Sequence, residues 1–222
     1  LAICIAPSIA AGDLLNLQKE LTALENAGAN AIHFDVMDGH FVPLLTWGVP
    51  FVEATKRATS LPLDVHIMVT NPEAVAQDYL DAGADTLTFH IEAAIHAHRL
   101  CQRIRQAGRR AGVAINPSTH WNAVEFVLPV IDQITIMAVN PGYSRQAHLP
   151  EVHEKIASLA GLCAKKYPHI EIQIDGGVSS TNVGTLAKLG ARNFVAGGAV
   201  LGQADYKSAI DSIRSAAEEA LR

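Results

Sequence analysis

Three times in this chain a stretch of helical character stops at Gly-Ala and runs straight into apolar, strand-forming residues. These are Ala27-Gly-Ala-Asn-Ala-Ile-His-Phe-Asp35, Ala82-Gly-Ala-Asp-Thr-Leu-Thr-Phe-His90 and Leu189-Gly-Ala-Arg-Asn-Phe-Val-Ala-Gly197. Glycine suits the left-handed backbone position just past a helix, and the run that follows is rich in β-formers. Parallel strands need a crossover between them, so a helix that repeatedly delivers the chain to a new buried strand builds a parallel sheet. Apolar runs at roughly 3–7, 30–36, 62–67, 84–90, 111–115, 132–138, 170–174 and 192–196 supply eight strands. Between them, residues 13–24 have apolar positions at helical spacing behind Asp13, while Asn71-Pro72 and Ser179-Ser-Thr-Asn182 resemble helix starts. Eight strands alternating with eight helices predict an α/β fold of the (β/α)8 TIM-barrel type, with an open doubly wound sheet as the alternative.

With 222 residues and 49% apolar composition the chain has ample material for one core, and no Pro-, Gly- or Ser-rich stretch divides it. One domain over residues 1–222 is expected. Seventeen basic against 22 acidic residues give a net charge of −5, without the basic cluster that nucleic acid or anionic lipid requires. A small-molecule partner is therefore expected, with no nucleic acid and no membrane. The three cysteines, Cys4, Cys101 and Cys163, form no C-x-x-C pair and suit a reducing cytoplasm. The apolar start, Leu1-Ala-Ile-Cys-Ile-Ala6, lacks a basic flank and is too brief for a membrane span, so it reads as a first strand.

Barrel enzymes carry their reactive groups at the carboxyl ends of the strands, so polar residues interrupting the apolar runs are the ones to weigh. His33 and Asp35 stand two apart in Ala31-Ile-His-Phe-Asp-Val-Met37 and share one strand face. A carboxylate in so apolar a run is costly unless it is paired, metal-bound or at work on a substrate. His66 ends strand three, and Asp175 ends strand seven. Taken singly, His66 reads as a satisfied core residue and Asp175-Gly-Gly as a turn. Together, His33, Asp35, His66 and Asp175 make a mixed N/O set suited to one divalent ion such as Zn²⁺, Fe²⁺, Mn²⁺ or Co²⁺.

Only three methionines occur, and Met37, Met68 and Met137 all fall at or just past strand ends beside these candidates. Core filling is the ordinary role of methionine; a roof that keeps water off a reactive anion is the functional one. Gly176-Gly177 and Gly197-Gly198 follow strands seven and eight, where barrels bind phosphate through backbone N–H groups. The loop holding Gly142, Tyr143, Ser144 and Arg145 is a third candidate for phosphate, and Ser8 is placed to donate a hydrogen bond into the barrel mouth. Among the other histidines, His90 ends strand four and is a candidate supporting residue.

A divalent ion beside a phosphate cradle and under an apolar roof suits proton abstraction next to a carbonyl. Asp35 and Asp175 come from well-separated strands and can approach a substrate carbon from two sides. The expected reaction is epimerisation.

Six segments carry a resemblance: Ala6-Pro-Ser-Ile9, Ile32-His-Phe-Asp-Val-Met-Asp-Gly-His-Phe-Val-Pro43, Leu61-Pro-Leu-Asp-Val-His-Ile-Met68, Val139-Asn-Pro-Gly142, Ile174-Asp-Gly-Gly177 and Val195-Ala-Gly197. Over essentially its full length the chain resembles the ribulose-phosphate 3-epimerase family. That resemblance implies a ribulose-phosphate-binding barrel that interconverts D-ribulose 5-phosphate and D-xylulose 5-phosphate with a divalent metal. It implies that His33, Asp35, His66 and Asp175 hold the metal, that Asp35 and Asp175 are the acid/base pair, and that Ser8 and the three methionines meet the substrate. A homo-oligomer is implied as well. The departures from the family pattern cluster in one loop, where Gly142-Tyr-Ser-Arg-Gln146 replaces Gly-Phe-Gly-Gly-Gln and Arg145 offers phosphate a charge instead of a bare backbone. Gly198 stands for a common serine, Leu44 for an asparagine, and Ala10-Ala11-Gly12 for Leu-Ser-Ala. An epimerase of another ketose phosphate, such as D-allulose 6-phosphate, and a non-catalytic sugar-phosphate-binding barrel are the alternatives. His66 stands where decarboxylases of a related barrel need lysine, which argues against that chemistry.

Overall fold

Each of the eight apolar runs is a strand in the computed structural model, which describes residues 2–143 and 146–222. They are β1 (Cys4–Pro7), β2 (Ile32–Met37), β3 (Leu63–Met68), β4 (Thr86–His90), β5 (Arg110–Ile115), β6 (Gln133–Met137), β7 (Glu171–Asp175) and β8 (Asn193–Ala196). All pair in parallel, in the order β1-β8-β7-β6-β5-β4-β3-β2. The two ends of that order meet: Asn30 N–H donates to Ile5 O at 2.9 Å, and Ser8 bridges His33. The sheet therefore closes as a (β/α)8 barrel, and the open-sheet alternative is excluded.

The Gly-Ala junctions work as the sequence implies. Gly28, Gly83 and Gly190 have φ of 82°, 103° and 111°. At each, the N–H of the following alanine bonds back to the last helical turn, Ala29 to Leu24 O, Ala84 to Tyr79 O and Ala191 to Leu186 O, all at 3.1 Å. This 6→1 bond is the Schellman closure, which needs a left-handed residue at the glycine.

The helices are α1 (Leu17–Asn26), α2 (Val49–Ala58), α3 (Pro72–Asp81), α4 (Ala97–Gln106), α5 (His153–Lys166), α6 (Val183–Lys188), α7 (Gly198–Leu201) and α8 (Tyr206–Ala220). Strict alternation fails after β5, where a 3-10 segment, Trp121–Val130, replaces an α-helix, and two helices follow β8 instead. Pro129 lies inside that segment and removes a donor, while Val124, Val127 and Val130 are stiff at χ1, so a regular α-helix is disfavoured there. Asp13 caps a 3-10 turn, and α1 begins four residues later, at Leu17. Asn71 caps α3 as expected, with its side chain accepting from Ala74 N. Asn182 does not cap α6; it closes a turn on Ser179 N and donates to Gly177 O.

Strand parity separates two layers. Phe34 of β2 packs edge-on against Trp47 and Phe51, the latter on α2, so it faces the helices. Its neighbours His33 and Asp35 must then point into the barrel. Phe89 and Phe194, also fully buried, belong to the same continuous apolar core that seats the helices on the strands. That layer fixes each strand's rotation about its own axis, and so aims the polar residues inward.

Candidate metal centre and active site

Three strands, β2, β3 and β7, bring His33, Asp35, His66 and Asp175 together, each offering one ligand atom within 4.8 Å of all the others. His33 Nε2 lies 3.3 Å from Asp35 Oδ1 and 3.7 Å from Asp175 Oδ2. His66 Nδ1 lies 3.8 Å from Asp35 Oδ1 and 3.5 Å from Asp175 Oδ2. Such spacings match the edges of a four-ligand shell with bonds of roughly 2.1 Å. His66 is fully buried, yet neither of its ring nitrogens has a hydrogen-bond partner. An imidazole left so is expensive, and a cation among these four groups would take up the lone pair of Nδ1, the nitrogen that faces Asp35 and Asp175. The donor set fits a divalent ion.

Electrostatics favour the same reading. Burial works against a charged His33, but the Asp35 and Asp64 carboxylates outweigh it and hold the ring's pKa well above its ordinary value. Burial would likewise raise Asp35; the adjoining His33 and His66 rings and the Ser8 hydroxyl, which donates to Oδ2 at 2.6 Å, bring it down to about 2. Positive charge is wanted at this point, and Asp35 stays ionised to meet it.

A cavity of about 830 Å3 opens over these groups, with Asp35, Asp175 and Ser8 in its wall. Met37, Met68 and Met137 line it too. Met37 faces Met68 in the β2–β3 register, and Met137 faces Asp175 in the β6–β7 register, so the three methionines line the cavity beside the strands that carry the acidic groups. Gly142, Tyr143, Gly176, Gly177, Gly197 and Gly198 form the remaining rim predicted for phosphate. Gly176 and Gly177 have φ of 118° and 64°, and a Cβ on either would meet backbone, Val139 N at 2.9 Å or His148 N at 2.5 Å. Only glycine fits both places. Ser144 and Arg145 lie outside the described residues.

Several residues of this region carry no role in the sequence reading. Thr46 accepts from Met37 N and donates to Asp35 O, which ties the β2 loop to the end of its own strand. Gln146 donates to Asn140 O and Tyr143 O and so pins both sides of the loop beside the glycines. Below the four candidate ligands lies a buried polar layer of Asp64, Gln133, Thr135 and Gln173. The i, i+2 spacing of Gln133 with Thr135 and of Gln173 with Asp175 marks inward positions and was a usable signal. His90, foreseen as a supporting residue, stacks on His66 with ring centres 4.9 Å apart and pairs with Glu92 at 3.1 Å.

Comparison with known proteins agrees with this geometry. The model of the "Ribulose-phosphate 3 epimerase family" matches residues 4–201. A ribulose-phosphate 3-epimerase of Synechocystis sp. is 42% identical over 215 residues, covering 96% of this chain and 94% of the relative. The Bacillus subtilis ribulose-phosphate 3-epimerase is 42% identical, covering 96% of this chain and 98% of its own. Among solved structures, 3-hexulose-6-phosphate synthase from Salmonella typhimurium superposes with a TM-score of 0.67 at 18% identity, covering 98% of this chain and 100% of that one. A tryptophan synthase alpha subunit from Legionella pneumophila gives 0.62 at 14% identity, with 98% and 93% covered. These two likenesses concern the barrel fold alone. Built on that barrel, and matched along nearly all its length, the chain belongs to the ribulose-phosphate 3-epimerase family.

Proposed function

We propose that this protein inverts C3 of D-ribulose 5-phosphate to give D-xylulose 5-phosphate. The observation that carries the reading is the meeting of His33, Asp35, His66 and Asp175 at the floor of a methionine-lined cavity, in a chain of this family. His33, Asp35, His66 and Asp175 would hold a divalent ion, which when bound supplies a Lewis acid for the substrate's oxygens. Asp35 and Asp175 are the acid/base pair. One carboxylate takes the proton from C3, and the other, which enters the step as the neutral carboxylic acid, gives its proton to the opposite face of the enediolate, so the two exchange protonation states in each turnover. Ser8 donates to Asp35 Oδ2 and thereby keeps its other oxygen aimed at the centre. Met37, Met68 and Met137 keep water from the intermediate, so that protons come from the carboxylates.

The glycine rim receives the phosphate, with backbone N–H groups of Gly176, Gly177, Gly197 and Gly198 as donors and Gly142 and Tyr143 in the facing wall. A phosphorylated ketose is the partner, and family membership carries the expectation of a homo-oligomer. Among the described residues no helix is long and apolar enough to cross a membrane. Three free thiols, with Cys101 and Cys163 buried, suit the cytoplasmic setting proposed here.

Incubation of the metal-loaded protein with a panel of ketose phosphates tests the assignment by ¹³C NMR. Conversion of ribulose 5-phosphate to xylulose 5-phosphate, faster than any change in D-allulose 6-phosphate, is expected. The reverse order would transfer the assignment to the hexulose.

A further inference from the structure

His33 differs from the other candidate histidine ligand in that its second ring nitrogen has a partner. His33 Nδ1 lies 2.8 Å from Asp64 Oδ2, and both residues are buried. Asp64 is no member of the four-residue centre. What holds it comes from the far side of the barrel: Gln173 Nε2 donates to Asp64 Oδ2 at 2.6 Å, and Gln133 Nε2 donates to Oδ1 at 3.4 Å.

Hydrogen-bond direction fixes this chain. Gln173 Oε1 accepts from Thr135 Oγ1 at 2.6 Å and from Gln133 Nε2 at 3.0 Å. Turned over, the Gln173 amide would set its NH2 against the Gln133 NH2 and its oxygen against the Asp64 carboxylate, which repels on both sides. Gln173 therefore has one orientation, with its NH2 on Asp64. A carboxylate only accepts, so the His33 contact must be an Nδ1–H donor. With one proton fixed on Nδ1, Nε2 is the nitrogen turned between Asp35 and Asp175, and the one that can give up its proton to meet a cation there.

We propose that Asp64, held by Gln173 and Gln133, is a positioning residue that locks His33 in the tautomer a metal ligand needs. The affinity of the centre is then set partly from the barrel floor, by residues on β3, β6 and β7 that never touch the ion. Partners of this kind change metal affinity by roughly 10–100-fold. The inference rests on the metal-centre reading above.

The test measures Zn²⁺ affinity by chelator competition in the wild-type protein, Asp64→Asn and Gln173→Met, with thermal melting of each. Asp64→Asn is expected to bind Zn²⁺ roughly 10–100-fold more weakly, and Gln173→Met more weakly in the same direction. A merely structural Asp64 would lower the melting temperature and leave Zn²⁺ affinity within twofold, which overturns the proposal. If Asp64→Asn does not fold, ring ¹⁵N spectra of the Zn²⁺-loaded wild type decide instead. A protonated Nδ1 and metal-bound Nε2 at His33 support the proposal, and the reverse overturns it. Wild-type protein that takes up no Zn²⁺ would overturn the metal-centre reading along with it; wild type that binds while Asp64→Asn binds equally overturns this inference alone.

Discussion

Asp35 of β2 and His66 of β3 are register partners, side by side although 31 positions separate them in the chain, and two residues further on Met37 faces Met68. One parallel pairing thus places a carboxylate beside an imidazole and a thioether beside a thioether, each pair on the inner face. A one-residue slip of either strand would turn its own two residues outward and leave the other pair alone, so the register that builds the barrel also builds half the centre.

Replacing either acid removes a proton carrier from the centre, so the variants are compared after loading with saturating divalent ion. Asp35→Asn and Asp175→Asn each remove a proton carrier while keeping nearly the same shape, and loss of a general acid or base costs roughly 10²–10⁴-fold in rate. Steady-state kinetics should show kcat falling by about that factor in both variants. Activity within a few-fold of wild type would remove that aspartate from the acid/base pair.

The glycine rim gives a different signature. Gly177→Ala places a Cβ 2.5 Å from His148 N at φ of 64°, so the rim must shift to admit it. Left-handed backbone costs a non-glycine residue roughly 1–2 kcal/mol, and the clash adds to that. KM for the phosphorylated substrate should rise by about tenfold or more, while affinity for the metal stays near wild type. An unchanged KM would place the phosphate elsewhere.

Much of this was legible before any coordinates. Parallel strands buried on both faces leave continuous apolar runs, which is why all eight could be read, and inward parity singled out His33 with Asp35. The crossover after β5 was not legible, because Pro129 and the valines around it settle for 3-10 geometry within a segment whose apolar residues still pack. The polar floor was overlooked for another reason. Asp64, Gln133 and Gln173 stand one layer below the strand ends, and each sits at an inward position whose polarity needs a partner that spacing alone does not name. What Gln146 does depends on loop shape, and no spacing rule announces it.

Acid sensitivity should come from the β4–β5 side of the mouth. Glu92 is partly buried, yet bonds from His90, Thr119 and Asn116 N hold its pKa at about 2, below the ordinary 4.5. Its contribution is present above about pH 4.5 and is lost as pH falls toward 2. His90, kept neutral by burial with a pKa of about 4, works in the same direction, because the unfolded chain binds its proton from about pH 6.5 downward. In urea titrations at stepped pH, Glu92→Gln should lose about 1–2 kcal/mol at pH 7, after allowance for solvent screening, and less below pH 4. An equal loss at both pH values would contradict this account of Glu92.

Metal removal links activity to stability. Chelation should abolish turnover, and a divalent ion added back should restore it. At an ion concentration 1,000 times its Kd, stability should rise by about 4 kcal/mol over the stripped protein. Full activity after exhaustive chelation would remove the ion from the reaction.

The most direct measurement is proton exchange at a single carbon. Metal-loaded protein with D-ribulose 5-phosphate in D2O should yield D-xylulose 5-phosphate carrying deuterium at C3, with no exchange when both Asp35 and Asp175 are asparagine. Xylulose 5-phosphate formed with its original hydrogen at C3, or no inversion at all by the loaded protein, would contradict two-carboxylate epimerisation.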